Sequence, residues 1–198
     1  MEPCPTPVRP EAIVVGGSAG ALNALSTLLA DLPDEFTVPM VIVLHLPRRK
    51  PSVLAEVLSA KAGRPVREPQ DKEPVSSSMI YVAPADYHLL IDQGRTFALS
   101  VDEPVNFSLP SIDVLFESAA DVFGARLIGV LLSGASADGA RGLKAIEDAG
   151  GTAIVQAPED AAMSAMPNAA IALCEHACVL SAKEIREHLL RLAGSDRA

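Results

Sequence analysis

Apolar positions along the chain follow two alternating patterns: short β-branched runs almost free of polar residues, and between them apolar residues recurring at helical spacing. AIVVGG at 12–17 reads as a strand buried on both faces, and Ala21, Leu22, Leu25, Leu28 and Leu29 then mark one apolar face of a helix. MVIVLH at 40–45 is a second such strand, after which Pro51 suits the first turn of a helix through Val53, Leu54, Val57 and Leu58. The middle of the chain breaks the pattern. MIYVAP (79–84), HLLID (88–92) and TFALSV (96–101) are short strands separated by turn-forming residues, Gln93-Gly94 among them, and read together as an antiparallel insert. Helical spacing returns from Ile112 to Val122. RLIGVLLSG (126–134) is another buried strand, followed by a helix from about Asp138 to Ala149 that Gly150-Gly151 ends. TAIVQ (152–156), a short helix after Pro167, a strand near ACVL (177–180) and a helix from about Ala182 complete the series. The expected fold is α/β: a doubly wound, mainly parallel sheet with helices on both faces and a small antiparallel hairpin insert.

At 198 residues the chain fits one domain with a sizeable core, read as residues 11–194 between short tails at 1–10 and 195–198. Hydrophobic residues at 49% and charged ones at 21% indicate a globular chain. No apolar run reaches the roughly 18–20 residues of a membrane span, so a soluble protein without membrane insertion is expected. The opening MEPCPTPVRP is proline-rich and lacks a signal peptide's apolar core, which points to a cytoplasmic location. Cys4, Cys174 and Cys178 are odd in number and form no CxxC pair, arguing against a disulfide framework or structural zinc; the last two read as buried small hydrophobes. A net charge of −9 leaves no electrostatic footprint for nucleic acid. The one basic cluster, Arg48-Arg49-Lys50, reads as a solvated loop or as a local contact with an acidic partner.

In such folds the functional crevice lies beyond the carboxyl ends of the strands. Three polar residues fall there: Ser18 after the first strand, His45 closing the second, and Asp138 in the turn after the late strand. A serine hydroxyl needs an imidazole to accept its proton and a carboxylate to orient that imidazole, and these residues supply the set. Gly16, Gly17 and Gly20 permit a sharp turn exposing the hydroxyl, and the helix start behind it, with Gly17 and Ala19, offers N–H groups to a developing oxyanion. The loop SGASADG (133–139) offers another backbone donor at Ala135. Each residue also has a plainer reading: GGSAG as a phosphate cradle or simple tight turn, His45 as a strand-end histidine bonded to a carbonyl, Asp138 as a helix N-cap. Their coincidence at three strand ends favours the chemical one. His88 reads as structural or exposed, and His176 and His188 lie away from the glycine turns. No HExxH or Cys/His cluster is present, so no metal or cofactor is expected.

VVGGSAGALNAL (14–25), VLHLP (43–47), MIYVAPADYHLLI (79–91), LPSIDVLFESAA (109–120), LIGVLLSGASADGARGL (127–143) and AMPNAAI (165–171) resemble, in order, the catalytic domain of the CheB chemotaxis protein-glutamate methylesterases. The resemblance implies a serine hydrolase acting on glutamate γ-methyl esters in chemoreceptor cytoplasmic helices, with glutamine deamidation in some members. By motif position it implies Ser18 as nucleophile, His45 as general base and then acid, and Asp138 as the orienting carboxylate. Three departures stand out. Ser18-Ala19-Gly20-Ala21 replaces the family's usual Ser-Thr-Gly-Gly, Gly134-Ala135-Ser136-Ala137-Asp138-Gly139 replaces Gly-Met-Gly-Asn-Asp-Gly, and Leu109 stands where arginine commonly precedes Pro-Ser. Family members typically carry an N-terminal receiver domain, whereas about ten residues precede the first strand here; control by a separate response regulator or other chemosensory protein is one expectation, and constitutive activity or a longer parent polypeptide are others. Two further readings stay open: a module kept for binding receptors or partners without catalysis, and nucleotide binding at the GGSAG turn.

Overall fold

The computed structural model describes residues 9–45 and 53–193; Cys4, the cluster at 48–50 and Pro51 lie outside the described residues. Nine strands and six helices run in chain order through these residues. Strands β1 (Ala12–Gly17), β2 (Met40–Leu44), β3 (Val66–Arg67), β4 (Ile80–Val82), β7 (Leu127–Leu131), β8 (Thr152–Gln156) and β9 (Cys178–Leu180) form one sheet in the order β3-β4-β2-β1-β7-β8-β9. Every pairing in it is parallel. All six residues of β1 and all five of β2 and β7 are buried, as expected of parallel strands covered on both faces.

Alternation along the strands sorts the side chains into two cores. Ile13, Val15, Met40, Ile42 and Val130 pack with helices α1 (Ala21–Leu29), α2 (Leu54–Ala62) and α6 (Ala182–Ala193). Val14, Val41, Val43, Leu131 and Val155 pack on the other face with α3 (Ile112–Phe123), α4 (Ala140–Asp148) and α5 (Ala165–Leu173). Leu25, Leu28 and Leu29 are buried along α1, and each such leucine contributes roughly 1.5–3 kcal/mol relative to exposure. Helices on both faces and a parallel sheet are the architecture that the residue pattern predicts.

The middle segment differs from its expectation. Only β5 (His88–Ile91) and β6 (Phe97–Ser100) form the antiparallel hairpin, with Ile91 opposite Phe97. Ile80–Val82 instead joins the main sheet as β4, parallel to both β2 and β3. The run was apolar throughout, as a strand buried on both faces should be; pairing direction leaves no mark in a single strand's pattern. β3, at two residues, is too short to carry a periodicity at all. Leu89, Ile91 and Phe97 turn the hairpin's apolar side toward α3, and Phe97 meets Tyr81 edge-on with ring centroids 4.6 Å apart. Two helix faces are also narrower than expected: Leu22, Val53 and Val57 are exposed while Leu25, Leu54 and Leu58 are buried.

Cys174 is buried as expected, but Cys178 is half-buried and disulfide-bonded rather than a free buried thiol. Among the described residues no helix is long and apolar enough to cross a membrane.

Candidate active site

The carboxyl ends of β1, β2 and β7 lie side by side, and the chain leaves them through Ser18, His45 and the loop before α4. Gly17 is level with Leu44 in the register of β1 and β2, and the His45 N–H donates to the Gly17 carbonyl at 3.1 Å, so Ser18 and His45 leave adjoining strands at the same height. On the other side the Ser18 N–H donates to the Ser133 carbonyl at 2.9 Å, tying the turn to the end of β7. The turn is sharp because Gly20, at φ 80°, takes the left-handed conformation at the head of α1. Ser18 is half-buried, and no side chain caps α1 and no acidic residue sits in its first turn. The uncapped N–H groups at this helix start carry partial positive charge.

His45 and Asp138 meet directly. The His45 Nε2–H donates to Asp138 Oδ2 at 2.9 Å, with 15% of the histidine side chain exposed and none of the aspartate. With Nε2 committed to the carboxylate, Nδ1 is the ring nitrogen left for a second proton partner. Asp138 accepts further hydrogen bonds: from Ile112 N–H at 2.7 Å, Ser111 Oγ at 2.8 Å, Asn106 Nδ2 at 3.1 Å and Asp113 N–H at 3.3 Å. Burial by itself pushes this carboxyl's pKa up; the bonds from His45, Ile112, Asn106 and Ser111 together outweigh it and hold the group below the ordinary aspartate range. Asp138 is therefore not the N-cap of the helix that follows it, a position Gly139 takes at φ 93°; its carboxylate instead accepts the first N–H groups of α3, whose own N-cap residue is Ser111.

A second buried carboxylate completes the arrangement. Asp113, on α3, accepts the Gly139 and Gly142 N–H groups at the head of α4 at 2.9 and 2.8 Å. Burial raises its pKa, with the nearby Asp138 charge acting in the same direction. The Asn106 amide joins the two, donating to Asp113 Oδ2 at 2.8 Å as well as to Asp138. His88 supports the same region from the hairpin: it is buried, its Nδ1 accepts the Ser111 N–H at 3.1 Å and its Nε2 donates to the Glu103 carbonyl at 3.2 Å.

Of the predicted oxyanion residues, Gly17 is buried at the strand end, while Ala19 and Ala135 are exposed on the two loops flanking Ser18. Among the described residues neither Ala19 nor Ala135 donates its N–H to a protein acceptor. Ser133 Oγ donates to the Ala19 carbonyl at 2.8 Å, and the Ser133 N–H donates to Gln156 Oε1 at 2.9 Å, so a buried polar chain fixes the Ala19 turn against β7 and β8. His176 is exposed, and buried His188, whose pKa is lowered by burial and by Arg191, lies on α6 on the opposite face of the sheet from α3 and α4. Residue-by-residue reading missed Asn106, Ser111, Asp113, Ser133 and Gln156. Ser111-Ile112-Asp113 at a helix start was the available signal, though it reads there as ordinary capping of that helix.

Residues 13–189 match the family model described as CheB methylesterase. The chain belongs to the CheB methylesterase family. It is 47% identical over 182 residues to a putative protein-glutamate methylesterase/protein-glutamine glutaminase of Leptospira interrogans, covering 92% of this chain and 94% of that protein. It is 35% identical to protein-glutamate methylesterase/protein-glutamine glutaminase 1 of Rhodospirillum rubrum, where 93% of this chain spans 49% of the relative's length. The crystal structure of the Thermotoga maritima CheB methylesterase catalytic domain superposes with a TM-score of 0.87 at 31% identity, over 93% of this chain and all of that one. In this CheB methylesterase domain the conjunction of strand ends thus belongs to a hydrolase fold.

Proposed function

We propose that this chain is a protein-glutamate methylesterase that hydrolyses γ-methyl esters of glutamate on the cytoplasmic helices of chemoreceptors, using Ser18, His45 and Asp138. The observation that carries the reading is the buried, hydrogen-bonded Asp138 holding His45 through Nε2 at the strand end beside Ser18. Names of similar proteins, protein-glutamate methylesterase/protein-glutamine glutaminase, supply the substrate class.

In this mechanism His45 Nδ1 takes the Ser18 hydroxyl proton as the oxygen attacks the ester carbonyl. The tetrahedral oxyanion is met by the N–H groups of Ala19 and Ala135, with Gly17 allowing the close turn. Asp138 stays ionised throughout, keeps the imidazole in its Nε2–H tautomer and supports the imidazolium. Collapse passes the proton from His45 to the departing methoxide, releasing methanol and leaving an acyl-Ser18 ester. Water, deprotonated by His45, then frees the glutamate. The same course on a glutamine side chain releases ammonia, which is the glutaminase reaction. A cytoplasmic location belongs to this reading.

The test is methanol release from a methylated chemoreceptor cytoplasmic domain. Ser18→Ala and His45→Ala should lose turnover by about 10⁴-fold or more and Asp138→Asn by about 10³–10⁴-fold, with all three folded. A folded wild-type protein releasing no methanol from several receptors would sink the proposal, and a Ser18→Ala variant retaining full signalling output would favour a binding module instead.

A further inference from the structure

Between β6 and α3 the chain makes a tight reversal in which Val105 and Ser108 exchange backbone hydrogen bonds at 3.2 and 2.9 Å. Its two central residues, Asn106 at φ 51° and Phe107 at φ 61°, are both left-handed. That is the backbone of a type I′ turn, which asparagine tolerates and whose second central position favours glycine. A phenylalanine there is strained, because its Cβ crowds the backbone in the left-handed region. Nor does burial compensate: Phe107 is fully exposed, at 103% of its reference surface.

Strain of this kind clusters at sites that use it, and exposed apolar residues that group together mark interaction surfaces, whereas a lone exposed ring needs no explanation. The position is specific. Asn106, the preceding residue, places its amide on Asp138, so Phe107 stands at the edge of the Ser18–His45–Asp138 group. Two other exposed apolar residues, Tyr87 and Val101, flank the paired His88 and Ser100 at the hairpin end that His88 ties to Ser111, itself a hydrogen-bond donor to Asp138. The chain carries a net charge of −9, so long-range electrostatics do not favour its approach to a glutamate-bearing helix, and apolar contact at the rim would supply attraction that the net charge does not.

We propose that Phe107 is a recognition residue, an apolar anchor that lies against the receptor helix carrying the esterified glutamate. The proposal rests on the methylesterase reading above. It assigns Phe107 to binding of the helical substrate and leaves the reacting atoms to Ser18 and His45.

Phe107→Gly and Phe107→Leu, in the full chain, test it on two substrates: a methylated receptor cytoplasmic domain, and a short peptide containing glutamate γ-methyl ester. Glycine accepts the left-handed backbone, so the melting temperature of Phe107→Gly should rise by about 2–4 °C. Its KM for the receptor should rise about ten-fold, the scale of losing one apolar anchor. The loss in kcat/KM on the peptide should be at least about five times smaller, and Phe107→Leu should hold the receptor KM within about two-fold of wild type. Unchanged receptor KM in Phe107→Gly overturns the proposal. So does an equal fall in kcat on both substrates, which is what a displaced Asn106 would give. Wild-type protein that cleaves the peptide ester but never the receptor overturns the receptor reading itself, and this proposal with it.

Discussion

Asp138 and Asp113 cap each other's helices: Asp138, just before α4, accepts the Ile112 and Asp113 N–H groups of α3, and Asp113, on α3, accepts the Gly139 and Gly142 N–H groups of α4. Each carboxylate gains the positive end of the other's helix, and each helix gains partners for N–H groups that its own sequence leaves uncapped. The consequence for the site is rigidity. Asp138 cannot swing away from His45 without uncapping α3.

The two carboxylates respond oppositely to acid. Asp138 is held below the ordinary carboxyl range, so the stability it contributes is present above the unfolded value near pH 4 and is lost as pH falls through its lower folded value. Asp113 is raised by burial, so its contribution is present below the unfolded value and is lost as pH rises through the raised folded value. Asp138→Asn should therefore flatten the acid limb of the stability profile. Urea midpoints from pH 3 to 7 should fall less on acidification in the variant than in wild type; an equal fall contradicts the assignment.

Asn106 acts through Asp138. Asn106→Ala leaves Oδ1 of Asp138 with fewer donors, which costs about 1–2 kcal/mol and should lower kcat about ten-fold with KM little changed. Asn106→Asp places a third carboxylate between two others and should be worse than alanine in both kcat and melting temperature. Steady-state kinetics on a methyl ester substrate decide it, and alanine falling below aspartate would count against the bridging role.

Gly20→Ala should destabilise the protein while leaving the distant core intact. The residue is at φ 80°, and an added Cβ would collide with the Ala162 Cβ and lie 2.9 Å from Ser133 Oγ. Left-handed strain plus overpacking amounts to roughly 2–4 kcal/mol, or a melting temperature lower by about 5–15 °C in a chain of this size. Calorimetry checks it; a shift under about 2 °C would show that the turn relaxes.

Burial pushes the Cys174 thiol up to about 12, so at pH 8 it should resist alkylation in the native protein and react once unfolded. Site-resolved mass spectrometry after brief iodoacetamide treatment reads this directly. Native labelling of Cys174 as fast as in denaturant would show that the region opens.

What the sequence by itself determined was the layering and the three strand-end positions. Continuous apolar runs such as AIVVGG and MVIVLH, bounded by turn residues, read as strands covered on both faces, and the residue that ends such a run stands at the carboxyl end of the sheet. Ser18 and His45 were placed at strand ends for that reason, Asp138 only in the loop that follows β7, and the ordered motif blocks made the family legible as well. Tertiary structure alone decided how they are held. Pairing direction moved Ile80–Val82 out of the hairpin and into the parallel sheet, because a strand's pattern records its burial and not its neighbour. The support around Asp138 was likewise invisible: Asn106, Ser111, Asp113 and His88 lie between 25 and 50 positions away in the chain, and a side chain's hydrogen-bond partner across that separation is set by how α3, α4 and the hairpin pack, not by local spacing.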